Sequence, residues 1–289
     1  MCLIACQRID RSSGLTLTRS PHPLAPPPGL GLTIGDIDAI ERATIAAVAP
    51  QALETLDGWL LPMDGGTIGR AKSAVPLDAA DTSIATLQRI AGRYQAQGLR
   101  AAFRIADLPR WATLRSHLAE LGYEAARPTW VQVATTAAMA ALAPAVNVAL
   151  EPRPDAAWEA LFLGPGFDPV DGASRVRSLS RATGSLYASV REDGATLAAG
   201  ALAFGHGWLS IHGMRTDAAH RGRGLAGRIL AAAGEAALAR GINRCFLQVE
   251  EANAAAQALY HRAGFQTVWS YAYWAPRLSS DQRGLTSNA

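Results

Sequence analysis

From residue 36 onward the apolar positions recur at two alternating periods. Residues 36–48, "DIDAIERATIAAV", carry them at helical spacing, as do "SIATLQRIAGRYQAQG", closed by Gly98, and "PRWATLRSHLAELG", closed by Gly122. Between these helices, "DGWLLPM" and "TIGRAKSAVPL" read as paired strands around Asp64-Gly65-Gly66, and "RAAFRIA" and "TWVQVAT" as further strands. Residues 137–145 read as a linker. Beyond it the order returns: helices in "DAAWEALF" and "GASRVRSLSRA", then strands in "SLYASVRED" and "TLAAGALAFGHG" about an Asp193-Gly194 turn, with "GWLSIHGMRT" next. A helix "LAGRILAAAGEAALAR", a strand "INRCFLQVEE", a helix "NAAAQALYHRAG" and a strand "VWSYAYWAP" complete the series. The halves end alike, "LAELGYEAARPTWVQV" and "LYHRAGFQTVWSYAYW", each a helix, a glycine, an aromatic and an aromatic-bearing strand. This is a diverged internal duplication, and it predicts two α/β units in tandem. "SPHPLAPPPGLG" cannot form a helix, so residues 1–30 are expected to be a flexible leader and 279–289 a tail.

Composition narrows the class. With 49% hydrophobic and 18% charged residues among 289, the chain can bury a sizeable core. A formal charge of +3 without a basic, aromatic-laced stripe argues against a nucleic-acid partner. Cys2, Cys6 and Cys245 are too few for a disulfide framework or a zinc site, and no metal is expected. "MCLIAC" resembles a lipoprotein box but lacks the basic and apolar regions that export requires. No apolar stretch is long enough to span a bilayer, so the expectation is a cytoplasmic protein, monomeric or homodimeric, with no membrane partner.

The candidate chemistry centres on "HRGRGLAGRIL", residues 220–230. A strand, a Gly-rich loop and a helix N-terminus leave outward backbone N–H groups and a favourable dipole, the ingredients of an anion site. Gly222 and Gly224 let a ligand approach the backbone, and Arg221, Arg223 and Arg228 add charge. The loop has no Gly-Lys-Ser/Thr, which excludes a Walker site. "GRGLAG" does satisfy Gly-x-Gly-x-x-Gly, with residues 248–251 at a tolerable distance for the acidic partner of a dinucleotide fold.

Residues 146–275 resemble a GNAT-type N-acetyltransferase, the superfamily that moves an acyl group from coenzyme A to an amine. Arg221, Gly224 and Ala226 match its pyrophosphate motif Arg/Gln-x-x-Gly-x-Gly/Ala, and the stretch from Asn253 to Phe265 is similar to its closing helix. The resemblance implies acetyl-CoA as co-substrate and an amine-bearing acceptor. It implies two GNAT-like units, each a twisted, mostly antiparallel sheet flanked by helices, over 31–140 (degenerate) and 146–278 (catalytic). It also implies a strand that splays from its neighbour, with the backbone of Met214, Arg215 and Thr216 holding the pantetheine. Leu225 joins Arg221, Gly222, Arg223, Gly224 and Ala226 in the loop, and Asn253 is either a cofactor contact or a helix N-cap.

Acyl transfer needs an acid for the departing thiolate and a base for the incoming ammonium. Tyr260 matches the family's tyrosine acid, and a phenol of pKa ~10 can protonate a thiolate whose conjugate acid lies near ~8.5. His212 is expected on one strand face with Met214 and Thr216, titrating near neutrality. Glu250 and Glu251 compete with it as base. Aligning Gly122 with Gly264 places Leu118 where Tyr260 stands, so the first half lacks the phenol and also the loop. Trp59, Arg70 and Ser73 mark its conspicuous stretch, which either walls the acceptor pocket or simply packs. Two other activities remain open, a non-catalytic CoA sensor and an aminoacyl or peptidyl transferase of tandem-GNAT type.

Overall fold

The computed structural model describes residues 30–277. The expected leader, apart from the buried Leu30, and the expected tail lie outside the described residues. Helix α1 (Ile34–Val48) starts at Thr33, whose hydroxyl accepts the Asp36 N–H while the Asp36 carboxylate accepts the Thr33 N–H. Strands β1 (Ala52–Leu56) and β2 (Trp59–Met63) form a hairpin through Asp57 and Gly58, both at positive φ as the two-residue turn demands. The turn expected at Asp64-Gly65-Gly66 is therefore not the hairpin turn. It leads into a 3-10 turn at Gly69–Ala71, and only Val75–Pro76 of the second expected strand pairs with β2, as β3.

Helix α2 (Ile84–Ala96), capped by Ser83, β4 (Phe103–Ala106), α3 (Ala112–Glu120) and β5 (Tyr123–Thr135) follow the expected order. The expected linker contains a short helix, α4 (Thr136–Ala140). It is not free: a Cβ on Gly234 would meet its backbone at 2.6 Å, so α4 lies directly on the later helix that carries Gly234. Then come β6 (Val148–Glu151), α5 (Ala156–Leu163), α6 (Pro169–Ser180), β7 (Leu186–Glu192), β8 (Ala195–Gly205), β9 (Trp208–Thr216) and α7 (Leu225–Leu238). The series closes with β10 (Arg244–Glu250), α8 (Ala254–Arg262) and β11 (Gln266–Pro276).

These strands make a small antiparallel sheet, β1-β2-β3, and an eight-stranded mixed sheet in the order β4-β11-β5-β10-β9-β8-β7-β6. The mixed α/β class with flanking helices is as expected, but the strands are not divided into one sheet per half. Each half gives its last strand to the other: β11 sits between β4 and β5, and β5 sits between β11 and β10. The duplication explains the symmetry of the exchange. Strands β5 and β11 follow matching helix-glycine turns, Gly122 and Gly264 both at positive φ, and pair antiparallel over nearly their full length.

Period-two alternation sorts the two cores. Trp208, Phe246, Val131 and Val133 face α1–α3, joining Ile40, Trp59, Phe103 and Leu118. Leu209, Ile211, Leu247 and Val249 face α7, joining Leu225, Ile229, Leu230 and Phe265. Each fully buried Leu, Ile or Phe contributes about 1.5–3 kcal/mol. Helix α1 is also tied to the sheet by an Asp36–Arg244 ion pair (2.6 Å), by the Gln248 amide donating to Thr44 (2.9 Å), and by an enclosed Glu41–Arg104 ion pair. No described helix is long and apolar enough to cross a membrane.

Candidate active site

Strands β9 and β10 run in parallel register only from Leu209 to Ile211, opposite Cys245 to Leu247. Beyond that point β9 continues to Thr216 and β10 to Glu250 without pairing, so a V opens between them. A bulge on the far side of β9 accompanies it. Ala199 pairs with Arg215 and Ala201 with His212, so Gly213 and Met214 together oppose Gly200. Gly213 sits at φ +59, the glycine-first bulge that bends a strand and increases its twist.

The bulge corrects one expectation. The extra residue shifts the alternation, so His212 shares its face with Arg215 rather than with Met214 and Thr216. The Arg215 side chain accordingly leaves the V: it donates to the Phe162 carbonyl (3.0 Å) and to Asp171 (3.2 Å), with its guanidinium over Phe162 and Phe167.

One limb of the V is a cavity of about 540 Å³ between Met214, Arg215 and Thr216 of β9, the loop from His220 to Ala226, and helix α8. Gly222 and Gly224 are at φ +78 and +75, with no atom within 4 Å of where a Cβ would stand. Their role is thus twofold: a left-handed backbone that other residues resist, and open space on the ligand side. Gly224 is the N-cap of α7 and offers no capping side chain, and the first intrahelical bond is Arg228 N–H to Gly224 O (3.1 Å). The N–H groups of Leu225, Ala226 and Gly227 therefore point outward without a capping partner. Arg221 lines the same cavity, as does Arg262, which the sequence did not single out. Arg223 does not. Its guanidinium turns away to hold Glu192 through both carboxylate oxygens (2.7 and 2.9 Å). Uncapped donors, a cation and a free strand edge together fit a pyrophosphate with an extended amide-bearing arm.

The other limb is a cavity of about 240 Å³. Met214, Asn253 and Ala256 line both, so the two spaces meet there. Asn253 caps α8 by accepting the Ala256 N–H (3.1 Å), so it is both cap and wall. Tyr260, His212 and Glu250 all face this second space, whereas Glu251 does not. Among the described residues the Tyr260 hydroxyl has no hydrogen-bond partner, and burial pushes its pKa up to about 12.

His212 is also buried, with Nε2 unpartnered. Burial, with the charge of Arg70 adding to it, lowers its pKa to about 3. This places its titration well below the neutrality expected of it, because the charged form would stand buried and beside a guanidinium. A lowered folded pKa stabilises the fold above the unfolded value near 6.5, and that stability is lost as pH falls toward 3. By linkage, the native protein should lose about 3 kcal/mol more than His212→Gln between pH 7 and pH 4, read by urea unfolding. Parallel losses would mean that His212 titrates in the fold as it does in the unfolded chain.

The first half supplies the remaining wall. Thr67, Ile68, Gly69 and Arg70 line the second cavity, held against α6 by Thr67 N–H to Ser174 (2.8 Å) and Thr67 Oγ1 to Asp171 (2.7 Å). Of the three residues singled out there, only Arg70 lines it. Trp59 is packing, its indole donating to the Asp81 carbonyl (2.8 Å), and Ser73 donates to the Gly69 carbonyl (2.8 Å). The sequence reading missed Gln248, Tyr271, Tyr273, Arg127 and Arg175 on this wall. The two tyrosines were legible as an i, i+2 pair in "SYAYW", but not which cavity they would face.

Comparison with solved structures places the fold. A GCN5-related N-acetyltransferase from Kribbella flavida superposes with a TM-score of 0.63 at 16% identity, covering 86% of this chain and 98% of that one. A tandem GNAT protein from the clavulanic acid biosynthesis pathway gives 0.55 at 13% identity over 84% and 96%. A conserved protein of unknown function from Staphylococcus epidermidis gives 0.60 at 12% identity over 86% and 98%. At such identities the fold is what is shared, and it is the GNAT fold. No curated protein matches the sequence. Residues 34–274 match the family described as "Probable histone acetyltransferase Rv0428c C-terminal", and the chain belongs to that acetyltransferase family. The match takes in both the resemblance read at 146–275 and the degenerate unit expected before it.

Proposed function

We propose that the protein is an N-acetyltransferase that takes the acetyl group of acetyl-CoA and places it on a primary amine of a small molecule, peptide or protein. The observation that carries this reading is the meeting of the two cavities at Met214, Asn253 and Ala256, with an uncapped helix start in one and Tyr260 in the other.

When bound, the thioester supplies an electrophilic carbonyl carbon and a sulfur leaving group. The backbone N–H groups of Leu225, Ala226 and Gly227, with Arg221, would hold the pyrophosphate. The unpaired edge of Met214–Thr216 would hold the arm and set its carbonyl in the V. Glu250, the only carboxylate lining the acceptor side among the described residues, would take the proton that makes the ammonium a nucleophile. As the C–N bond forms and the C–S bond breaks, Tyr260 would give its proton to the sulfur. The second proton shed by nitrogen leaves to solvent, which restores the phenol. His212, neutral throughout, would serve as a hydrogen-bonding wall rather than a base.

Calorimetric titration with acetyl-CoA, with NAD as a control, followed by a thiol-release assay over amines, tests the proposal. CoA binding with no transfer to any amine would leave a sensor, and NAD binding alone would overturn the reading. Gly224→Val should weaken acetyl-CoA binding by more than tenfold, about 1.4 kcal/mol or more, because φ +75 resists a β-branched residue and the new side chain enters the ligand space. An unchanged Kd would remove the loop from cofactor binding.

A further inference from the structure

The acceptor-side cavity is unexpectedly cationic for a space meant to receive an ammonium. Three arginines line it, Arg70, Arg127 and Arg175, against one carboxylate, Glu250. Of these three, only Arg175 has an acidic partner among the described residues, Asp171 at 2.6 Å.

Arg70 is the one placed to act. Its Nη1 donates to Gln248 Oε1 (3.2 Å), and its Nε is buried without a partner. Gln248 is fixed from both sides, accepting the Tyr271 hydroxyl on Oε1 (2.9 Å) and donating from Nε2 to Thr44. It therefore offers Arg70 a neutral acceptor and no countercharge. Glu41, whose carboxylate feels the charge of Arg70, is already engaged by Arg104.

Arg127 is held at a cost. It stands at φ +53 directly before Pro128, in a β5 bulge where Arg127 and Pro128 together oppose Ala272 of β11, and its guanidinium lies 4.5 Å over the Tyr273 ring. A non-glycine residue in that conformation costs of order 1–2 kcal/mol, and a bulge re-aims a side chain. His212 Nε2 is a further unpartnered polar atom, on a side chain only 4% exposed that lines the same space.

A simple amine or a lysine on a basic protein tail would bring more positive charge to three guanidiniums. A guest that also carries a carboxylate meets complementary charge at both ends. We propose that the acceptor is a small amine bearing a carboxylate, of the amino-acid type, with Arg70 binding the carboxylate while Glu250 faces the amine. The proposal rests on the acetyltransferase reading. It separates this chain's acceptor from the histone of the family's name.

The test begins with acetyl-CoA binding to the full chain by calorimetry, and its absence would overturn the transferase reading itself. Thiol release is then measured for matched pairs, lysine against cadaverine, ornithine against putrescine and tyrosine against tyramine, together with a lysine-rich basic peptide. At least one amino acid should be used with kcat/KM about tenfold or more above its decarboxylated partner and above the peptide, the discrimination of one charge-assisted contact. Arg70→Gln should raise KM for that amino acid about tenfold or more, bring the ratio within its pair close to one, and leave the acetyl-CoA Kd unaltered. Arg70→Lys should recover part of the loss. Equal or better use of the diamines or the peptide, no acetylation of any amino acid by protein that binds acetyl-CoA, or an Arg70→Gln effect confined to acetyl-CoA affinity would each overturn the proposal.

Discussion

Tyr260→Phe is expected to lower kcat by roughly 10- to 1000-fold while leaving the Kd for acetyl-CoA within about twofold. The substitution removes one oxygen and one proton. Because that hydroxyl has no hydrogen-bond partner among the described residues, no internal bond is broken, and stability should change by less than about 0.5 kcal/mol. The ring stays packed edge-on against Phe265. Burial holds the phenol protonated well past neutrality, so the proton is in place when the thiolate departs beside it. Steady-state thiol release and calorimetry on the two proteins decide the matter. Equal kcat would take Tyr260 out of the reaction and leave it as core.

Glu41→Ala is expected to cost about 3–5 kcal/mol in urea unfolding, enough to unfold a marginal domain. The Arg104 side chain is fully enclosed, with Glu41 as its ion-pair partner and the Tyr271 ring 5.2 Å from its guanidinium. Burial alone would lower the Arg104 pKa, but Glu41 together with Tyr271 and Tyr273 outweighs it and the charge is kept. Removing the carboxylate leaves a guanidinium in a dry core, whereas replacing both residues by apolar ones should recover much of the loss. The same pair sits beneath Tyr271, so the variant also tests whether the acceptor wall needs a charged floor. A loss below about 1 kcal/mol would show that water reaches Arg104.

Much of this was legible because it is written locally. The helix ends at Gly98, Gly122 and Gly264, the Asp193-Gly194 turn and the loop at 221–226 follow from residue types that do one thing well. The β1–β2 hairpin was missed although "LDGW" carries its signature, because the Gly-rich run after Met63 drew the turn downstream. The bulge at Gly213 was not legible, since one glycine in a strand signals an irregularity without its register. That single residue decided which side chains share a face with His212. The depressed pKa of His212 comes first from burial and then from Arg70, some 140 residues away in sequence, so no local reading could have found it. The strand exchange was equally hidden. The duplication showed that β5 and β11 are alike, but likeness does not say that each will complete the other's sheet.

That exchange governs how the chain can assemble. Strand β11 is made about 130 residues after β5, which at roughly 5–20 residues per second is on the order of 10 s of synthesis. Until then β4 and β5 lack the strand that joins them, and Phe103, Val131 and Val133 lack part of their cover. The first half cannot close by itself, so its folding has to wait for a contact of high sequence separation, the slow kind. An open slot awaiting a strand accepts the matching strand of any neighbour. Two nascent chains on one message can therefore trade β11 and close reciprocally, which makes a swapped dimer the characteristic misassembly of this topology.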